Sequence, residues 1–368
     1  SPMSRGLGDV YKRQPTSVSN TLVIIAALFV VAAGLKTAQD LVVPFLLSAF
    51  IATIAATPLF WLRNKGVNGS LALSLVIVGM VVALILLGGL LASSTSAFAA
   101  KLPFYQERLL SLQTDLLRVL DEFNIPLDLS SIITSLSPAS ALTVAGSTLA
   151  KVGTILSDSL LITLTVVFIL AEANSFPSKL KHVLHNPERD LPLFARFTTN
   201  MNRYIAIKTS VSIATGVVVT VILWVLGVDF PLLWGLLAML LNFIPTIGSI
   251  IAAVPPVMLA IVQAGPATAG AVAASFFLIN MVMGNMVEPR FMGRGLGLST
   301  LVVFLSLVLW GWLLGPIGML LSVPLTMTAK IALEANPQTS WIAYLLGPAE
   351  PATTQDAAND KQPPAADP

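Results

Sequence analysis

The stretch that decides the fold runs from Leu232 to Val262 and reads LLWGLLAMLLNFIPTIGSIIAAVPPVMLAIV. It is longer than the roughly 20 apolar residues of an ordinary membrane span. A second long run, Leu298 to Leu333, carries a similar Pro/Gly interruption at Gly315-Pro316-Ile317-Gly318. Paired, broken hydrophobic segments are typical of secondary transporter sites, although Gly and Pro are common in transmembrane helices generally. Each run is either a tilted, kinked helix or two shorter legs folded back on themselves.

The composition is that of a membrane protein. Of the 368 residues, 55% are hydrophobic and 10% are charged, whereas soluble domains are about 25% charged. Apolar runs without strand alternation predict helices and not a barrel. We therefore predict an all-α polytopic membrane protein in contact with the lipid bilayer. The net charge of +2 implies no nucleic-acid partner, and zero cysteines exclude disulfides and thiolate metal sites.

About eight hydrophobic helical segments are predicted. They are Thr21 to Ala38, Leu41 to Leu62, Leu71 to Ala92, Gly153 to Ala171, Ile205 to Leu226, Leu232 to Val262, Ala267 to Val287 and Leu298 to Leu333. They divide the chain into a polar, disordered extension at 1–20, three spans in 21–92, an external helical insertion at 93–152, a span at 153–173, a basic cytoplasmic loop at 174–204, a transport core at 205–335 and a largely disordered tail at 336–368.

Lys and Arg near span ends predict the orientation. Arg63, Lys65 and the basic loop after the fourth span favour the cytoplasm, and the same count places both termini there. Arg290 and Arg294 become cytoplasmic only if Leu232 to Val262 is a hairpin, so we prefer the hairpin interpretation. The two hairpins then enter from opposite faces, and we expect their tips around Pro245 and Pro316 to line a cavity.

An apolar seam marks the external insertion. Its residues recur at steps of four and three, which predicts a helix that begins near Pro103 and stops before Pro126. The seam packs either on the protein's own second helix around Leu142 to Val152 or the membrane surface, which we favour, or on another subunit. Its members are Tyr105, Leu109, Leu112, Leu116, Val119 and Phe123.

Several motifs resemble those of the bacterial autoinducer-2 exporter family. They are Arg203-Tyr204-Ile205 with Lys208-Thr209, Trp234 to Ala238, Leu241 to Pro245 with Ile247-Gly248, Val254-Pro255-Pro256, Asn285 with Glu288-Pro289-Arg290, Met292-Gly293, Leu296 to Ser299, and Gly311 to Met327. The resemblance implies a secondary transporter of the inner membrane that works as a homo-oligomer. Some members resemble exporters of autoinducer-2 and others sodium or lithium/proton antiporters, so the solute, a small polar molecule or a cation, stays open.

Glu288 is the first candidate for the substrate or ion pathway, because a carboxylate beside a membrane span is costly unless it pairs or faces water. The alternative is that it pairs with Arg290 or Arg294 to anchor a turn. Neutral donors and acceptors that flank the first break, or lie on the span between the two breaks, suit a small hydroxylated ligand, although each one alone is more often an interhelical hydrogen bond. These are Asn242, Thr246, Ser249, Asn280 and Asn285.

Backbone groups freed at the breaks are further candidates, at Pro245, Gly248, Pro316 and Gly318, unless these residues only kink a helix. Asp229 is interpreted as a cap at an external turn. His182 and His185 would need further ligands to hold a metal, so we predict no metal site. Without a phosphate-binding loop, His-Glu-x-x-His or Gly-x-Ser-x-Gly, we expect neither an enzyme nor a cofactor. A membrane scaffold protein is the alternative of another class.

Overall fold

The computed structural model describes residues 17–122, 159–173, 176–183, 187–292 and 297–348. Every regular element in these ranges is helical, which confirms the all-α polytopic membrane fold. The helices are α1 (Ser17–Thr37), α2 (Gln39–Asn64), α3 (Gly69–Glu122), α4 (Ser159–Glu172), α5 (Phe176–Val183), α6 (Pro187–Val225), α7 (Pro231–Leu241), α8 (Ile247–Ala264), α9 (Pro266–Val282), a π turn (Met283–Val287), α10 (Glu288–Met292), α11 (Thr300–Leu320), α12 (Ser322–Glu334) and α13 (Ser340–Leu345). Within the same ranges, six helices are long and apolar enough to cross a membrane.

Helices α2, α3 and α4 form one packed unit. Small residues such as Ala52 and Ala72, which are fully or almost fully buried, bring the helices close together. Val166 and Leu170 of α4 fill the same cluster. The outer faces remain apolar and exposed, as a lipid environment requires.

Helix α3 corrects the predicted start of the external helix near Pro103. Residues 69–122 form one continuous helix with Pro103 inside it. A proline in a helix removes one backbone hydrogen bond, and the flanking Ala-rich sequence has enough helix propensity to continue. The far end of the predicted insertion, at 123–152, lies outside the described residues, as do 1–16 and 349–368.

The first broken run forms a hairpin, hereafter hairpin 1 (Pro231–Ala264). At its base, the Gln263 side chain donates to the Gly227 carbonyl at 2.8 Å and accepts from the Asp229 amide at 3.0 Å. At its tip, Gly248 packs against the carbonyl of Leu241. Both ends of the run therefore lie at the same end of the molecule, which confirms the hairpin interpretation.

The second broken run also folds back, at Gly315, whose φ of 67° lies in the region that favours glycine. This is hairpin 2 (Thr300–Glu334). Its legs are joined by the Trp310 indole, which donates to Thr326 Oγ1 at 3.0 Å, and at the base by Lys330, which donates to the Gly297 carbonyl at 2.6 Å.

Helix α9, the π turn and α10 lie between the two hairpins. Hairpin 1 ends where α9 begins, and hairpin 2 begins shortly after α10, so their bases lie at opposite ends of this continuous helical segment. Phe243 from the tip of hairpin 1 belongs to one hydrophobic cluster with Leu321, Val323 and Met327 from hairpin 2. The inverted arrangement expected from the sequence is present.

Candidate functional site

A small cavity lies beside the tip of hairpin 1. Its walls come from α6, from both legs of hairpin 1 and from α9, which converge because the chain reverses at 226–230, at 242–246 and at Gly265. The space that the centre of a water molecule can reach is about 10 Å³, roughly room for one water. The lining residues are Thr215, Val219, Ala238, Asn242, Ser249, Ala252, Phe276, Ile279, Asn280 and Met283.

The lining residues are all uncharged, and the polar ones can still bind a ligand. Asn242 donates from Nδ2 to the Ser212 hydroxyl at 2.9 Å, which leaves its carbonyl oxygen as an acceptor. The Thr215 hydroxyl donates to the Val211 carbonyl at 2.9 Å, so its oxygen retains accepting capacity. The structure therefore brings Asn242, Ser249 and Asn280 together, three of the residues singled out in the sequence.

The tip itself is strained. Thr246 is exposed and has a φ of 59° and a ψ of −50°, a conformation that a β-branched residue adopts at a cost of order 1–3 kcal/mol. Its hydroxyl donates to the Pro245 carbonyl at 2.7 Å. Gly248 is buried, and a side chain there would overlap the backbone of Leu241. Thr246, Pro245 and Gly248 shape the tip and are absent from the cavity lining.

An ion pair lies beyond the cavity. Lys208 of α6 donates to both carboxylate oxygens of Glu288, at 2.7 and 2.8 Å. The Lys208 side chain is 5% exposed and that of Glu288 is 19% exposed. The carboxylate is therefore paired with Lys208, which the sequence analysis had not proposed as its partner. Arg290 is exposed, and Arg294 lies outside the described residues.

The remaining predicted residues lie apart from the cavity. Asn285 is exposed on the π turn. Pro316 is exposed beside Gly315, and Gly318 is buried against the Trp310 carbonyl within hairpin 2. The breaks at Pro245 and Pro316 do not line one common cavity in the described residues, because the second break closes on its own legs.

Asp229 is more than a cap, because it connects hairpin 1 to α3. Its carboxylate accepts from Lys101 at 2.5 Å and from the Tyr105 hydroxyl at 2.7 Å. Its carbonyl accepts from the Trp234 indole at 2.9 Å. Tyr105, from the predicted apolar seam, is 5% exposed and packs in the cluster at the base of hairpin 1. This seam residue therefore packs on hairpin 1, and the predicted partner around Leu142 to Val152 lies outside the described residues.

Sequence reasoning missed Lys208, Ser212 and Thr215. Lys208 lies within the predicted span Ile205 to Leu226, but it was not considered as a partner for Glu288; the helix itself, α6, begins at Pro187, inside the predicted loop. All three are buried, and their spacing of four and three residues places them on one helical face. That spacing was the signal available in the sequence.

The protein-family model described as AI-2E family transporter matches residues 22–338. The chain belongs to the AI-2E transporter family. This member is 39% identical over 325 residues to the AI-2 transport protein TqsA of Escherichia coli, covering 88% of this chain and 94% of the relative. It is 40% identical over 340 residues to a putative transport protein of Haemophilus influenzae (91% and 98%). Against the putative transport protein YhhT of Escherichia coli, the identity is 38% over 330 residues (90% and 95%).

Membership in the AI-2E family assigns a transport role to the chain. The apolar helices make it a multi-pass membrane protein that contacts lipid. The cavity beside hairpin 1 and the Lys208–Glu288 pair are polar features of the described membrane helices.

Proposed function

We propose that the protein is a secondary transporter of the bacterial inner membrane that moves a small uncharged polar solute, autoinducer-2 or a similar compound. The observation that carries this proposal is the cavity beside hairpin 1, which combines neutral donors and acceptors with apolar walls. Such a lining suits a hydroxylated molecule, because hydrogen bonds select it and a fixed charge is not needed. The name of the relative TqsA supports the same choice of solute.

Transport requires the cavity to open, since ligand pockets typically measure about 300–1,000 Å³ and this one has room for about one water. The two hairpins and the helical segment between them form the mobile unit. The first three spans form the scaffold, and movement between the two units exposes the cavity to each face in turn.

Efflux of autoinducer-2 from proteoliposomes tests the solute. Asn242→Ala, Ser249→Ala and Asn280→Ala each remove a side chain that can hydrogen-bond the solute, and each is expected to lower flux roughly fivefold, since one hydrogen bond is worth about 1 kcal/mol. Ser275→Ala is the matched control, because Ser275 lies on the same helix as Asn280 and donates only to the Ala271 carbonyl. Unchanged flux in all three cavity variants would overturn the proposal.

A sodium or lithium/proton antiporter is the second candidate, and the Lys208–Glu288 pair favours it. A carboxylate inside the membrane can exchange a proton for a cation when its partner moves away. Proton release from proteoliposomes on addition of sodium or lithium would show this activity. Glu288→Gln is expected to abolish this proton release. Glu172→Gln is the control and is expected to leave the release intact, because the Glu172 carboxylate is exposed.

We further propose that both termini lie in the cytoplasm and that the protein is a homo-oligomer. The distribution of Lys and Arg near the span ends supports the orientation, and the resemblance to the family supports the assembly. Reporter fusions to the two termini test the first, and native mass spectrometry in detergent tests the second. A periplasmic reporter signal or a monomer contradicts the respective part.

A further inference from the structure

We propose that Lys208 and Glu288 form a gate that closes the cavity toward one face of the membrane. Ser212 and Thr215 continue the polar path from this gate to the cavity. The inference deepens the proposed function and rests on it only in assigning the cavity to the solute. The face at the Glu288 end of the molecule is called the Glu288 face, and the opposite one the Asp229 face.

The first wall of the path is a row of polar residues on α6. Lys208, Ser212 and Thr215 are 4%, 0% and 6% exposed. The seven steps from Lys208 to Thr215 rise about 10 Å along the helix. Thr215 lines the cavity, so the row extends from the ion pair to the cavity wall. Polar groups are costly inside a membrane protein unless they are paired or face water. Each of these three is paired, and together they form a polar face of α6 between the ion pair and the cavity.

The facing wall comes from α9 and the π turn. Asn280 and Met283 line the cavity, and Glu288 follows five residues after Met283. Five residues make about 1.4 turns of an α-helix, which would direct Glu288 away from the side of Met283. The wider π turn at Met283–Val287 brings the same five residues closer to one full turn. Glu288 therefore lies on nearly the same side as the cavity lining and meets Lys208 there.

The row is also joined to the tip of hairpin 1. Asn242, which lines the cavity, donates to Ser212 at 2.9 Å. Ser212 lies one helical turn from Lys208 on the same face. A movement of the hairpin tip is thereby transmitted to the helix face that holds the ion pair, so opening of the gate and movement of the hairpin are coupled through these side chains.

A buried ion pair is better suited than an apolar contact to a gate that opens and closes. For stability alone, an apolar pair of similar volume would serve as well or better. When the pair separates, however, both charges gain water, and the widened path presents polar groups on each side. The Glu288 side chain is 19% exposed, whereas that of Lys208 is 5% exposed.

The test uses the fact that the chain contains no cysteine, so Ser249→Cys introduces a single thiol into the cavity. Its reaction with a membrane-impermeant thiosulfonate is followed in vesicles of both orientations. The gate predicts slow labelling from the Glu288 face, and at least about tenfold faster labelling from that face after Glu288→Gln, as expected when a minor open state becomes the major one.

Two further variants make the result decisive. Lys208→Gln combined with Glu288→Gln leaves no unpaired buried charge, so it is expected to fold even if the single variant does not, and to label equally fast. Glu172→Gln, from the exposed pair of Glu172 with Lys179, is the matched control and is expected to label at the original rate.

Unchanged labelling from the Glu288 face in the double variant would overturn the gate, and so would an equal increase from both faces. Labelling requires no solute, so its outcome is independent of whether autoinducer-2 is transported. Conversely, loss of flux in the cavity variants with unchanged labelling would retain the proposed function and refute the gate alone.

Discussion

Gly248 shows how one residue fixes the tip of hairpin 1. The carbonyl of Leu241 occupies the space where a side chain at position 248 would project. A backbone carbonyl cannot move aside as the end of a flexible side chain can. Glycine is therefore required at position 248 because a Cβ atom would clash with this carbonyl, and not because of the φ angle. The close approach allows the two legs to reverse within five residues, 242–246.

Gly248→Ala is expected to lower the free energy of unfolding by about 1–3 kcal/mol, the usual cost of forcing atoms into a packed region. Gly270→Ala is the control, because nothing lies within 4 Å of a side chain there. It is expected to be neutral or to stabilise by about 0.5–1 kcal/mol. Thermal unfolding in detergent measures both, and equal shifts would contradict the argument.

Asp229 is the second residue whose removal has a defined effect. Asp229→Ala leaves the buried Tyr105 hydroxyl without its acceptor, which is expected to cost about 1–3 kcal/mol. The Lys101 pair adds little, because Lys101 is 49% exposed. Glu107 is an exposed acid on the same helix as Tyr105. The control variant Glu107→Ala is therefore expected to change the free energy of unfolding by less than about 0.5 kcal/mol.

Hydrogen exchange of the amides near Tyr105 distinguishes a local loosening from a global one. Faster exchange there in Asp229→Ala, with unchanged exchange in Glu107→Ala, is the expected pattern. If the two variants behave alike, Asp229 does not connect hairpin 1 to α3 in the way described.

The residues of the cavity were partly predictable from the sequence. Asn242 and Ser249 flank a visible break, which predicts irregular backbone that needs polar surroundings, and Asn280 is a polar residue on the span that follows. The partner of Glu288 was not predictable, since Lys208 lies 80 residues away.

At the scale of elements, hairpin 2 is held by a contact between its legs. The Trp310 indole donates to Thr326, which is 7% exposed. Thr326→Val is expected to destabilise the protein by about 1–3 kcal/mol, because it leaves the indole N–H unpaired. Thr328→Val is the control, because Thr328 is exposed and its hydroxyl donates to the Pro324 carbonyl of its own helix.

A double-mutant cycle with Trp310→Phe isolates the contact. The combined variant is expected to lose less than the sum of the two single losses, by roughly 1 kcal/mol. Additive losses would mean that the indole and the hydroxyl do not depend on each other.

The elements differ in how far the sequence predicts them. Both hairpins were predicted, because Pro and Gly act locally and the distribution of arginines decided between hairpin and kinked helix. The unbroken α3 was not predicted, because proline marks a helix start more often than a helix interior. Just after Pro103, Tyr105 packs in the hydrophobic cluster at the base of hairpin 1, and this packing stabilises the helix beyond the proline.

For the whole molecule, the proposed motion has a direct test. The mobile unit contains hairpin 1 and the scaffold contains α3, so Asp229 and Lys101 must separate or shift during transport. Joining Lys101→Cys to Asp229→Cys with a bifunctional maleimide is expected to stop autoinducer-2 efflux from proteoliposomes. Each single-cysteine variant treated with the same reagent is the control, and undiminished efflux in the cross-linked protein would show that hairpin 1 and α3 move together.

The inverted arrangement of the hairpins was predictable from topology, since one crossing between two re-entrant segments leaves no other arrangement. The position of the cavity was not, because it depends on which faces of α6 and α9 turn inward. Those faces are set by contacts between distant parts of the chain, such as the close approach of Gly216 to Gly235.

Helix α3 has a mechanical consequence. Its 54 residues make a rod about 81 Å long at 1.5 Å per residue, far longer than the roughly 30 Å of hydrocarbon in a bilayer. It leans on hairpin 1 at Tyr105, about 25 Å short of its end. A tilt of about 5° there would move Glu122 by about 2 Å. Because α3 is long, a small tilt of the helix at Tyr105 gives a larger displacement at Glu122. A fluorophore near Glu122 would therefore report each transport cycle from outside the lipid.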